Sequence, residues 1–97
     1  MITLDDYVMD SLMRDLVAHD RKPASFLVYV WLAAEQSRRK GEISISYQEL
    51  AENVGISKSS TQSAVAWLRR RKLLAVSKEN ATAIPRYVVL TPWRRGH

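Results

Sequence analysis

The stretch Lys58-Ser59-Ser60-Thr61-Gln62-Ser63 gathers short hydrogen-bonding side chains behind one cation, and the run Arg69-Arg70-Arg71-Lys72 follows on the same predicted helix, residues 58–72. Serine is a poor choice for an isolated helix, because its hydroxyl competes for backbone bonds. On a helix entering a DNA major groove it has a use. Short side chains let the backbone approach, Gln62 can bond an adenine edge, and Lys58 can reach guanine or phosphate. The plainer alternative is that Ser57 to Ser60 form a capping cluster. Four consecutive cations point in several directions around a helix. Arg69 and Arg70 are therefore the candidates for phosphate, and Arg71 and Lys72 for complementing the negative end of the helix.

Catalytic chemistry finds no comparable set. The chain of 97 residues has no cysteine and no glycine-rich phosphate loop, and its two histidines, His19 and His97, are remote from each other and from any serine arrangement or metal-ligand spacing. Asp5, Asp6 and Asp10 are explained as an acidic helix start. An enzyme, a cofactor, a metal and a small-molecule ligand are thus not expected. The net charge is +5, and it is unevenly spread. Residues 1–20 hold five aspartates against Arg14 alone, whereas residues 58–97 hold nine lysines or arginines against Glu79 alone. A solvated basic face accounts for this, and so does a polyanionic partner. The acidic N-terminus is unlike a signal peptide, the longest apolar run falls short of a membrane span, and the lack of cysteine suits a reducing cytoplasm.

The elements that must position these residues follow from periodicity. Residues 3–18 read as an amphipathic helix, with Thr3 as its cap, Asp6 completing a capping box, and Leu4, Val8, Leu12 and Leu16 on one stripe beside Met9 and Met13. Pro23 opens a second helix, residues 23–39, that is apolar nearly all round and stops at Gly41. Residues 42–45 alternate as a short strand. Ser46 can cap the N–H of Glu49, whose carboxylate can reach back to the Ser46 N–H, and a third helix runs over residues 47–53. Gly55 supplies the positive φ of a sharp turn, Ile56 plugs beneath it, and Ser57 launches the next helix. Thr61, Ala64, Val65 and Leu68 form the inward face of that helix. Residues 73–77 and 86–90 read as strands joined by a hairpin tip at residues 78–85, and Pro92 excludes a longer strand.

Phe26 to Leu74 resembles the winged helix-turn-helix domains of bacterial and phage regulators and replication initiators. The carrying elements are FLVYVWLA and ISYQELAENVGISKSSTQSAVAWLRRRKLL, which match the pattern S-x-x-x-L-A-x-x-x-G-x-S followed by a recognition helix and an apolar exit. The chain departs from the family in holding Lys72 where a glycine is usual. The resemblance implies a mainly α fold with a small β-hairpin wing, the helix from Lys58 in the major groove, and Lys78, Asn80 and Arg86 of the wing near the DNA backbone or minor groove.

The expected organisation is one domain over residues 1–97: an N-terminal helix (1–20), a helical core (23–74) holding the helix-turn-helix (46–72), a wing (73–90) and a tail (91–97). The expected DNA-binding residues are Lys58, Ser59, Ser60, Gln62, Ser63, Arg69, Arg70, Lys78, Asn80 and Arg86. Trp93, Arg94 and Arg95 of the tail can clamp phosphate or fray. Trp67 lies off the core stripe and is expected on the wing, with a subunit interface as the alternative. A single recognition helix reads few base pairs, so a homodimer on a palindrome is expected, with Tyr7, Met13 and Val17 of the first helix facing the partner. Transcriptional control of double-stranded DNA is the expected role. The alternatives are replication initiation, plasmid partition, or a docking module without DNA contact. RNA is disfavoured, because no run of exposed aromatics offers base stacking.

Overall fold

A computed structural model of the chain describes residues 6–14, 22–80 and 82–91. It is mostly helical, with a three-stranded antiparallel sheet. A π-helical segment, Val8–Leu12, precedes α1 (Pro23–Arg39), β1 (Ile43–Ser44), α2 (Tyr47–Val54), α3 (Lys58–Arg70), β2 (Leu74–Ser77) and β3 (Arg86–Val89). Thr3, Leu4, Asp5, Leu16, Val17, His19, the Met9 side chain and the tail from Pro92 lie outside the described residues.

The first helix departs from the expected α-helical winding. The Met13 N–H bonds the Val8 carbonyl, five residues back. In a 3.6-residue helix a strict four-residue stripe drifts sideways at every turn. Val8 and Leu12 are nonetheless both buried in the main core. Tyr7 and Met13 remain exposed.

Helix α1 begins at Pro23 as expected and is the centre of the fold, burying Phe26, Val28, Tyr29 and Leu32. It ends at Arg39 as expected, but the residue that turns the chain is Lys40 rather than Gly41. Lys40 itself adopts the left-handed conformation (φ 57°), and its N–H bonds the Gln36 carbonyl at 2.8 Å.

The turn between α2 and α3 follows its local signals. Ser46 accepts from the Glu49 N–H at 3.1 Å. The return arm runs from the Ser46 hydroxyl to the Glu49 carboxylate, 3.5 Å, rather than to the Ser46 N–H. Gly55 has φ 90°, and the N–H groups of Gly55 and Ile56 both reach the Ala51 carbonyl, at 2.8 and 3.1 Å. This is a glycine-closed helix end of the Schellman type. The same motif closes α3, with a lysine in the glycine position. Lys72 sits at φ 60°, its N–H bonds the Arg69 carbonyl at 3.0 Å, and the Leu73 N–H bonds the Leu68 carbonyl at 2.9 Å. Helix α3 therefore ends at Arg70 rather than Lys72. The substitution of lysine for the expected glycine leaves the geometry of the turn intact, and Leu73 is buried just beyond it.

The sheet order is β1-β3-β2, so the early strand joins the hairpin on the β3 side. Only Ile43 and Ser44 pair, opposite Tyr87 and Arg86, and the Ile45 N–H bonds the Pro85 carbonyl at 3.3 Å. On the other side Leu74 to Ser77 pair with Val89 to Arg86. Leu50, Val65, Leu68, Ile43, Leu74 and Tyr87 close one core between the helices and the sheet. Among the described residues no helix is long and apolar enough to cross a membrane.

Candidate nucleic-acid interface

Helix α3 divides its residues cleanly. Thr61, Ala64, Val65 and Leu68 are buried. Lys58, Ser59, Ser60, Gln62, Ser63, Ala66, Arg69 and Arg70 are exposed. At spacings of three and four Ser59, Gln62, Ser63, Ala66, Arg69 and Arg70 lie along one outer strip. No carboxylate occurs on α3, so nothing on this helix repels a phosphate backbone. Ala66 is the residue that sequence reasoning overlooked. As a small side chain in mid-strip it leaves the helix backbone open to close approach, and the spacing from Ser59 through Ser63 to Arg70 is the signal that points to it.

The serine run carries a second task. Ser57 caps α3 by accepting from the Ser60 N–H at 3.0 Å, and its hydroxyl lies 2.9 Å from Ser60 Oγ and 3.3 Å from Ser59 Oγ. Ser59 and Ser60 thus share hydrogen-bonding capacity with the cap, whereas Gln62 and Ser63 stand clear of it. Thr61 points inward and bonds the Ser57 carbonyl at 2.9 Å.

Of the basic run, Arg71 lies over the Trp67 ring at 5.1 Å from its centroid, a cation–π arrangement. Trp67 is half-buried against the core and lines a cleft with the first residues of α1; among the described residues none of the hairpin lines that cleft.

The three remaining candidates belong to the hairpin and not to α3. Asn80 is occupied with its own turn, its Oδ1 accepting from the Thr82 N–H at 3.0 Å and the Thr82 hydroxyl at 2.9 Å. Arg86 lies between two carboxylates, Glu42 at 3.9 Å and Glu79 at 3.6 Å. Lys78 is exposed at the end of β2. Seven of the ten expected residues therefore come from one helix, and the most promising hairpin cation already faces acidic neighbours.

Behind the hairpin the Tyr87 ring meets the Tyr47 ring edge-on, with centroids 6.4 Å apart. The Tyr87 hydroxyl is buried without a hydrogen-bond partner among the described residues. Burial above all, and then the adjacent Tyr47 phenol, hold it protonated well beyond the usual tyrosine range. Among the described residues no group of three His, Cys, Asp or Glu side chains is placed to hold a metal ion.

Comparison of the chain with family models, curated proteins and solved structures finds no match.

Proposed function

We propose that the protein binds double-stranded DNA in a sequence-specific manner, as a winged helix-turn-helix regulator. In this reading α3 lies in the major groove and the β2–β3 hairpin forms the wing beside the backbone. The observation that carries the proposal is the outer strip of α3. It is exposed, rich in hydrogen-bonding groups, ended by Arg69 and Arg70 and free of carboxylates, while the opposite face of the same helix is anchored in the core.

The division of roles follows from chemistry. Gln62 offers a donor and an acceptor for an adenine edge, and Lys58 and Ser63 flank it. Arg69 and Arg70 meet phosphates, which position the helix without reading sequence. Regulation of transcription is the role proposed for this binding. A docking module would instead present apolar anchors along this strip, and α3 has none there.

The test is fluorescence anisotropy with a randomised duplex pool at two salt concentrations. Binding is expected to weaken steeply with salt, by about 0.9 in log–log slope for each phosphate neutralised. Failure to bind any duplex at low salt overturns the proposal.

A further inference from the structure

Lys22, before the first turn of α1, and Arg70, at the end of α3, line one open cleft together with Ser25, Ser59, Ser63 and Trp67. Among the described residues no carboxylate lines it. Neither cation has an ion-pair partner among the described residues, whereas Arg38, Arg39 and Arg86 all do. Two like charges brought to one cleft repel each other unless an anion lies between them.

The cleft offers more than charge. Lys22 makes no side-chain cap for α1, and Pro23 follows it, so the N–H groups of Ala24 and Ser25 have no acceptor within the helix. Ala24 and Ser25 both line the cleft, which brings the positive end of a 17-residue helix to it. Ser25 is 2 % exposed, and its hydroxyl makes no hydrogen bond among the described residues. The hydroxyl of this lining residue is therefore available to donate to an anion in the cleft. Ser59 and Ser63 belong to the outer strip of α3 as well, so the cleft and the strip form one continuous surface.

We propose that this cleft clamps a single phosphate group. Resting on the DNA-binding reading above, that group is a backbone phosphate beside the groove that α3 enters. Helix α1 thereby becomes part of the interface, through Lys22 and its first amides, and sets the angle of α3 on the duplex.

The experiment has two arms on the full chain. In the first, Lys22→Gln, Arg70→Gln and the double variant are titrated with DNA across salt. Each single change is expected to weaken all duplexes alike and to lower the salt slope by up to about 0.9, and the double to lower it by about 0.9 in total, because one phosphate is shared. A double effect near twice that value overturns the clamp, since it requires two separate phosphates. In the second arm, inorganic phosphate is titrated into wild type and Lys22→Gln while the Trp67 indole N–H resonance is followed. A saturable shift that Lys22→Gln abolishes supports the clamp even where wild type fails to bind DNA, and then assigns the cleft to a free phosphorylated ligand. Slope loss without that shift assigns it to the DNA backbone alone. Unchanged slopes together with an unmoved Trp67 resonance overturn it.

Discussion

Gln36 completes the hydrogen bonding of Val89. Its Oε1 accepts from the Val89 N–H at 2.6 Å, and its Nε2 donates to the Val89 carbonyl at 3.4 Å. Strand β1 pairs with β3 only at Arg86 and Tyr87, so the β1-side edge of β3 is open at Val89. The side-chain amide closes it as a further strand residue would. Tyr29, two turns earlier on α1, donates its hydroxyl to the Leu90 carbonyl at 2.9 Å. Helix α1 thus holds the central strand of the sheet through two polar side chains.

Gln36→Leu keeps the bulk of the side chain but leaves two backbone groups of Val89 unpaired. We expect a loss of about 2–3 kcal/mol of stability in urea unfolding, because each unsatisfied buried group costs about 1–3 kcal/mol. Gln48→Leu, which removes only an exposed contact to Glu52, serves as the control. Equal losses in the two variants would show that the Val89 clamp contributes nothing.

Backbone conformation can be tested without steric interference. A Cβ at Gly55 or at Gly41 meets nothing within 4 Å, but only Gly55 has a positive φ. Gly55→Ala should therefore destabilise by about 1–2 kcal/mol, the strain of a left-handed residue with a side chain. Gly41→Ala should be neutral or stabilising by up to about 1 kcal/mol. At Lys72, φ 60°, replacement by glycine should raise stability by about 1 kcal/mol. Thermal melts of the three variants decide this, and a Gly55→Ala protein as stable as Gly41→Ala refutes the assignment.

The outer strip of α3 should separate reading from positioning. Gln62→Ala is expected to change which duplexes are preferred, with losses of about 1–3 kcal/mol confined to particular bases. Arg69→Ala should weaken every duplex alike and lower the salt slope by about 1. Selection from a randomised pool with each variant tests the contrast. An identical sequence preference in Gln62→Ala and wild type would remove Gln62 from the groove.

The carboxylates around Arg86 compete with phosphate for it. Glu79 lies 3.6 Å from the guanidinium and is largely exposed. Glu79→Gln should strengthen binding to all duplexes several-fold at low salt, while changing stability by less than about 1 kcal/mol, as exposed ion pairs contribute little. Affinity that stays constant on removing Glu79 places Arg86 away from the DNA.

The N-terminal helix should carry the dimer contact. Val8 and Leu12 are committed to the core, while Tyr7 is 39 % and Met13 is 36 % exposed. We expect sedimentation to give a homodimer at tens of micromolar, about the range in which a modest interface associates. Tyr7→Ser with Met13→Ser should shift it to monomer and weaken specific binding. A wild-type monomer with and without DNA refutes the dimer, and a double variant that stays dimeric locates the interface elsewhere.

The sequence by itself determined the features whose causes lie within a few residues. Ser46 and Ser57 cap their helices, Gly55 takes the left-handed turn, and Thr61, Ala64, Val65 and Leu68 face the core. Each is set by hydrogen bonds or a side-chain period within one or two helical turns, so residue type and spacing suffice. The helix ends at Lys40 and Lys72 show the edge of this local logic. A hydrogen-bonded Schellman turn holds even a lysine at positive φ when the buried Leu73 that follows must be delivered to the core. Tertiary structure alone decided that β1 joins β3, that Gln36 completes Val89, that Glu42 and Glu79 flank Arg86, and that Lys22 and Arg70 line one cleft. These relationships join residues far apart in the chain. Their geometry depends on how the helices and the sheet close over a shared core, and no local pattern of residue types encodes that closure.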